Sequence, residues 1–371
     1  MTKIIEYKIY PNKTQLQKLE YILNQARFLY NSALEQRITE YKENKKSVNY
    51  YDQAKSFKGK YRIPASLTQA VLRKLDITYK AFFRRGNGFP RFKPFQRYNI
   101  IELRQYKVDG WMDNGKLKLW KMLIKTSNHR KLEGIPKQGR LIKRITGWYW
   151  QITCELPKVK PIKKIKTAIG IDMGLTSFLT DNLGNHIKPP KFFRKSEKKL
   201  MKEQRILSKR KKGSYKRNQA RQQVAKTHLK IKRQRMDFLH KLSYKYANYN
   251  LICVEKLNIA GMLKNHFLAK SIQDASWNLF FQLLSYKAEN AGNYLVKVNP
   301  AYTSQICSNC GAIVKKSLSV RTHICPECSF IKDRDENASI NILRRGIRLA
   351  EETGLPISMK AETIGSLVSF S

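Results

Sequence analysis

Four of the six cysteines in this chain fall into two CxxC pairs, Cys307 and Cys310 in ICSNCG and Cys325 and Cys328 in CPEC, with fourteen residues between the pairs. No other stretch limits the fold so tightly. Two such knuckles can close tetrahedrally on one zinc ion. Four thiolates leave zinc no open position, which makes the ion structural. Cys154 and Cys253 stand singly in apolar, strand-like runs and read as ordinary buried cysteines. Directly behind the second pair, DRDENASINILRRGIRLA has the pattern of a helix with Asp335 and Asn337 in its first turn and with Ala338, Ile342 and Leu343 facing inward.

The cysteine pairs span a small part of 371 residues, a length that calls for two or three domains. Lys and Arg number 74 against 27 Asp and Glu, a net charge of +47 that far exceeds what solubility requires and points to a polyanionic partner. With 42% hydrophobic residues, 19 Tyr, 16 Phe and 5 Trp, the chain can build packed cores, which excludes a disordered basic tail that merely coats nucleic acid. MTKIIEYKIYPNK alternates charged with apolar residues and offers no continuous signal-peptide core, and no apolar run reaches the ~18 residues of a membrane span. A soluble, intracellular protein is expected, and in a reducing cytoplasm paired CxxC spacing favours metal over disulfide.

Along the chain, TQLQKLEYILNQARFLYNSALEQRITEYK is predicted as one amphipathic helix from Thr14 to Lys42. Leu16, Leu19, Leu23, Ala26, Tyr30, Ala33, Leu34 and Tyr41 recur at helical spacing, Pro11 stops any upstream helix, and Thr14 is placed to cap the start. A second helix runs from Ser66 to Arg84, with Leu67, Val71, Leu75, Tyr79 and Phe82 on one stripe, and ends in RRGNGFPRFKPF. Short β-type runs separated by Gly and Asn turns fill residues 97–155. After the basic linker PKVKPIKKIK, AIGID and SFLTD read as strands and DNLGN as the turn before a short third strand at HI. NLICVEKLNI (250–259) and YLVKVN (294–299) are further strands, with one helix between them over residues 271–291.

Asp172 ends the apolar run AIGID, and Glu255 stands at the polar end of LICVE, where a charge is costly unless it binds something. Asp335 comes from a helix start. Cutting a phosphodiester needs an activated water and a stabilised leaving oxygen, and two Mg²⁺ ions (or Mn²⁺) about 4 Å apart provide both when carboxylates hold them. An Asp at a strand end, taken alone, is more often a cap or turn residue; three such acids in a chain of this charge favour a metal-dependent nuclease. Asp333 and Asp181 are the decoys, the first as a helix cap and the second in a hairpin turn. From Lys191 to Arg235, nineteen Lys or Arg face two Glu, so partners for i,i+4 pairing are nearly absent. A duplex-tracking surface is favoured there over a solvated helix face, with Lys191, Arg194, Lys209, Arg210, Lys211, Lys212, Arg217 and Arg221 as candidates. The Phe residues from Phe82 to Phe95 fit base stacking and core packing equally.

In this order, GIDMGLTSF, VEKLNI, TSQICSNCG, CPEC and DRDENASINIL resemble the TnpB family, the RNA-guided nucleases encoded by small bacterial transposons and related to compact type V CRISPR effectors. YKIYPNKTQLQKLE, FLYNSAL and GFPRFK extend the resemblance over nearly the whole chain. It implies a multi-domain α/β protein. A β-barrel wedge domain (1–13 and 95–160) holds an inserted helical recognition domain (14–94). An RNase H-like, RuvC-type nuclease domain (161–300 and 331–350) follows, with an inserted zinc ribbon (301–330) and a C-terminal tail (351–371). The resemblance further implies that Asp172, Glu255 and Asp335 form a catalytic, Mg-binding triad, and that Cys307, Cys310, Cys325 and Cys328 hold one zinc. A guide RNA from the transposon end is bound, and double-stranded DNA is cut beside a short motif approached by the helix that carries Gln69. Arg91 and Lys93 in GFPRFK join the candidate nucleic-acid contacts. The ribbon is then a rigid insertion that delivers Asp335 to the site. A bacterial, cytoplasmic, nucleoid-associated monomer without a membrane partner is expected. Two alternatives share the same basic surfaces. One is an RNA-dependent DNA-binding regulator that does not cut, against which the intact triad argues. The other is an RNA-independent transposase or resolvase accessory protein, for which no nucleophile or oligomer interface is evident.

Overall fold

In the computed structural model, which describes residues 2–317 and 319–359, the N-terminal alternation becomes strand β1 (Thr2–Tyr10), with Ile5, Tyr7 and Ile9 buried on one face. It pairs within a sheet completed by β2 (Ile100–Leu103), β3 (Gly110–Asp113), β4 (Lys116–Leu119), β5 (Met122–Thr126), β6 (Ile135–Arg144) and β7 (Gly147–Glu155). The order is β2–β6–β7–β1–β5–β4–β3, antiparallel throughout, and β1 lies along β7 with Ile5 opposite Ile152 and Tyr7 opposite Trp150. The closed barrel expected from the resemblance is not found among the described residues. Both edges are strands of four residues, and the segment between them folds back onto β3 through Tyr106 and Gly110 instead of extending a ladder.

Three helices are inserted between β1 and β2: α1 (Lys13–Asn44), α2 (Tyr50–Ser56) and α3 (Ala65–Arg85). α1 is capped by Asn12, not Thr14: Asn12 accepts from the Gln15 amide at 2.8 Å and the Gln15 side chain accepts from the Asn12 amide at 3.1 Å, a capping box. Leu19, Leu23, Ala26, Tyr30 and Ala33 pack into the same core as Leu67, Val71 and Leu75 of α3, whereas the ends of the predicted stripe, Leu16 and Tyr41, are exposed. Phe83 in the last turn of α3, and Phe89, Phe92 and Phe95 beyond it, are 74%, 45%, 51% and 59% exposed, which removes them from the core. These elements make up the first of two units, which divide after residue 158.

In the second unit, β8 (Ala168–Asp172), β9 (Leu179–Asp181), β10 (His186–Ile187), β11 (Leu251–Glu255) and β12 (Tyr294–Val298) form a sheet in the order β10–β9–β8–β11–β12. β8, β11 and β12 are parallel, and β9 and β10 are antiparallel. The helices are α4 (Phe192–Ser208), α5 (Tyr215–Tyr246), α6 (Ile259–Met262), α7 (His266–Ala275), α8 (Trp277–Asn290) and α9 (Arg334–Glu352). The helix predicted over 271–291 is two helices, broken at Ser276, whose φ of +59° is left-handed. Ile169, Ile171, Ile252 and Val254 pack with Leu239 and Tyr246 of α5 and Phe280 and Leu284 of α8, while Leu251, Cys253 and Val298 pack with Ile342, Leu343 and Ile347 of α9. Burial on both faces is why β8 and β11 read as unbroken apolar runs up to their terminal acids. The predicted tail from residue 351 lies outside the described residues beyond 359.

α9 approaches the sheet more closely than side chains normally allow. A Cβ on Gly170 of β8 would stand 2.1 Å from the Ser339 carbonyl oxygen, and a Cβ on Gly346 would stand 2.1 Å from Cys253 Sγ. Gly346→Ala therefore sets a helix-propensity gain of about 1 kcal/mol against an overpacking cost of about 1–3 kcal/mol. We expect a net loss of stability, partly restored when Cys253→Ala is added, as read by denaturant unfolding. A Gly346→Ala protein more stable than the parent would rule out this close helix–strand approach.

Candidate active site and metal centre

The parallel pairing of β8 with β11 runs through Ile171 opposite Val254, so Asp172 and Glu255 emerge side by side at the carboxyl ends of adjacent strands. Asp335 is supplied by the first turn of α9, and the loop after β8 passes it: a Cβ on Gly174 would lie 4.0 Å from Asp335 Oδ2. Glu255 and Asp335 are each 8% exposed, and Asp172 is half-buried. Burial, followed by the charges of Glu255 and Asp335, pushes the Asp172 carboxyl well above the usual carboxylate range. Burial also raises Glu255, against the Thr303 hydroxyl and the Arg345 charge, which hold it down in part. Thr303 Oγ1 donates to Glu255 Oε1 at 2.5 Å. A bound cation would offset the charge that Glu255 and Asp335 place beside Asp172, and the hard oxygen donors of the three acids suit a divalent ion such as Mg²⁺.

Several neighbours of the triad carry no signal in the sequence. Arg321, beside the second knuckle, forms an ion pair with Asp335. His186 Nε2 lies 2.9 Å from Glu336 Oε1, tying β10 to the first turn of α9. The decoys are structural: Asp333 caps α9 by accepting from the Asp335 and Glu336 amides at 2.8 and 3.2 Å. Buried Asp181 accepts from the Leu183 and Asn185 amides, each at 3.0 Å, and from the Tyr246 hydroxyl at 2.7 Å.

Cys307, Cys310, Cys325 and Cys328 converge so that their sulfur atoms all lie within 4.8 Å of one another. The Cys307–Cys328 and Cys310–Cys325 sulfur separations are 3.7 and 3.6 Å. A tetrahedral zinc with Zn–S bonds of about 2.3 Å needs sulfur–sulfur edges of about 3.8 Å, so the set fits the ion. The Asn309 side-chain amide, 3.6 Å from Cys328 Sγ, brings that thiol down to about 6 and readies a thiolate ligand. The second pair is carried by the hairpin β13 (Thr322–Ile324) and β14 (Ile331–Asp333), which runs directly into α9. Among the described residues, no other group of three or more His, Cys, Asp or Glu side chains converges on one point in this way; the three acids share a field without meeting at a centre.

The basic candidates fall at two places. In the first unit, Gln69 is exposed on α3, and a groove of about 460 Å³ is lined by Lys74, Phe89, Arg91, Lys93, Arg97 and Tyr98. Asn31 holds the groove's wall by accepting from the Lys93 amide at 2.8 Å and donating to its carbonyl at 3.1 Å. In the second unit, the tract Lys191–Arg235 folds as the helical hairpin α4–α5. Lys191, Lys209, Arg210, Lys211, Lys212 and Arg221 are exposed there, and Arg221 donates to Asn218 at 2.8 Å. Arg194 is partly engaged by Ser271 at 3.4 Å, and Arg217 ties the hairpin turn by donating to the Leu207 and Arg210 carbonyls at 3.0 and 2.6 Å. Among the described residues no helix is long and apolar enough to cross a membrane.

Comparison with known proteins places these features in a family. Residues 151–266 match the family described as "Probable transposase", and residues 277–342 match "Cas12f1-like, TNB domain". Residues 1–46 match a family described as "Helix-turn-helix domain", although here they form a strand and one unbroken helix of 32 residues. A protein of Streptomyces pristinaespiralis named "Putative RNA-guided DNA endonuclease" is 30% identical over 93% of this chain and 89% of its own length. A protein of Escherichia coli K12 named "Putative RNA-guided DNA endonuclease InsQ" is 27% identical over 92% of this chain and 91% of its own. The mixed α/β fold is similar to the chain in a "Cryo-EM structure of the Cas12f1-sgRNA-target DNA complex", at a TM-score of 0.59 and 14% identity, covering 92% of this chain and 98% of that one. With a relative of 30% identity matched over nearly its full length, and TnpB-like proteins among the further matches, this chain belongs to the TnpB family.

Proposed function

We propose that the protein is a transposon-encoded, RNA-guided DNA endonuclease that cuts target DNA beside a short motif by two-metal phosphodiester hydrolysis. The observation that carries this reading is the junction of Asp172 and Glu255 on adjacent parallel strand ends with Asp335 from the start of α9. The names of the two full-length relatives support it, as do the basic surfaces in both units. Residues 161–300 and 331–350 act as the nuclease domain and 301–330 as its zinc ribbon. Residues 14–94 are the recognition helices, set into the wedge of 1–13 and 95–160. Guide RNA and its heteroduplex are held through backbone phosphates by the α4–α5 tract and the groove around Arg91 and Lys93, base pairing reads the target, and the helix carrying Gln69 approaches the adjacent motif.

Asp172, Glu255 and Asp335 would hold Mg²⁺, which would supply charge stabilisation for phosphodiester hydrolysis. The raised proton affinity of Asp172 makes protons compete with the cation for that carboxyl. Arg321, exposed and paired with Asp335, can turn its guanidinium from the carboxylate to a phosphate oxygen of the strand being cut. The test is to express the protein with its native flanking DNA, purify it at high salt and sequence the nucleic acid that remains bound. One discrete RNA with a constant scaffold and a variable end is expected. A heterogeneous mixture would reduce the +47 charge to general polyanion affinity and remove the guided reading.

A further inference from the structure

We propose that Thr303 is a positioning residue of the acid site, and that through it the zinc ribbon holds the Glu255 carboxylate in place. Thr303 and Glu255 are 3% and 8% exposed, and the hydroxyl donates to Glu255 Oε1 at 2.5 Å. The same oxygen lies 3.1 Å from the Pro300 carbonyl, but its single proton goes to the charged acceptor, which makes the stronger bond.

Thr303 is itself fixed from α9. Asn341, 5% exposed, donates to the Thr303 carbonyl at 2.9 Å and to the Ile306 carbonyl at 2.7 Å. One helical turn earlier, fully buried Asn337 donates to the same Ile306 carbonyl at 2.8 Å and accepts from the Ser308 amide at 2.8 Å. Cys307, also fully buried, lies between these anchor points. A zinc ligand, two helix-borne amides and a hydroxyl on Glu255 thus share one short, fully anchored segment, residues 303–308. The segment that leads through the cysteines into α9, which carries Asp335, thus also contacts Glu255.

On the proposed reading of the acids as ligands of a divalent cation, Thr303→Val removes the hydroxyl and keeps the shape. The probe is Mn²⁺, with free ion measured by its paramagnetic resonance spectrum in zinc-loaded, full-length protein. Thr303→Val is expected to weaken Mn²⁺ binding about tenfold, the range seen when a ligand loses its supporting hydrogen bond, with zinc content and melting temperature unchanged. Thr303→Ser retains parental affinity. Asn341→Ala also weakens binding, and combining it with Thr303→Val adds little, because both act along one path. Parental Mn²⁺ affinity in Thr303→Val, or equal weakness in Thr303→Ser, overturns the proposal. If Asp172→Asn leaves Mn²⁺ binding unchanged, the cation reading of the acids fails separately. A crystal structure of Thr303→Val then decides the role of Thr303: a displaced Glu255 carboxylate supports it, and an unmoved one overturns it.

Discussion

Replacing Asp172 with Asn yields a protein that no longer cuts DNA yet melts at a higher temperature than the parent when no divalent cation is present. The loss of cleavage is expected to be on the order of a thousandfold or more, since the amide cannot replace a charged ligand. The rise in melting temperature follows from the raised carboxyl. Because Asp172 has a higher proton affinity in the folded chain than in the unfolded one, its contribution to stability is fully present below the ordinary carboxylate range. It is lost as pH rises through the folded-state value. At neutral pH, above the ordinary carboxylate range, the buried carboxyl therefore costs stability, and Asn removes the cost. The difference should be about 2 °C or more at pH 7 in chelator, and should shrink both at acid pH and when Mg²⁺ is added to the parent. Bound RNA should be the same in both proteins. A melting temperature below the parent's at pH 7 in chelator would mean that the carboxylate is supported by a partner, and cleavage at the parental rate would remove Asp172 from the active site.

Serine at both Cys325 and Cys328 should take the zinc content from one per chain to none and cost several kcal/mol of stability, because metal binding and the folding of such a ribbon are one equilibrium. The damage should not stop at the ribbon. Asn337 and Asn341 of α9 are satisfied by backbone groups of the first knuckle, and with that knuckle loose they become buried amides without partners. Hydrogen exchange should therefore speed up through the first turns of α9, around Asp335, as well as through residues 301–330. An unchanged metal content and melting curve would exclude a structural zinc site.

The candidate acids and the cysteine set stand out in the sequence for physical reasons. Strands buried on both faces must be continuously apolar, so a charge at the end of AIGID or LICVE stands out, and tetrahedral thiolate ligation demands a short, fixed spacing. What supports those residues was not legible. Thr303, Arg321 and His186 matter only through partners far along the chain, and nothing in TSQIC, SVRTH or GNHIK distinguishes them from other polar loop residues. The break at Ser276 is invisible because the helical pattern resumes at once in Trp277–Asn290. Asn12 does not stand out as the cap because Thr14, two positions on, is also a good capping residue. Whether the first sheet closes depends on how its short edge strands meet, which no local pattern records.

The order in which the site's parts occur along the chain bears on how the protein is born. Synthesis proceeds from the N-terminus, so the first unit and the α4–α5 hairpin leave the ribosome well before α9. During that interval Asp172 and Glu255 have been made, but the helix that covers their strands and brings Asp335 has not. On the proposed reading, a nascent or prematurely terminated chain grips nucleic acid before it has any means of cutting it, and loading with RNA can precede the gain of nuclease activity.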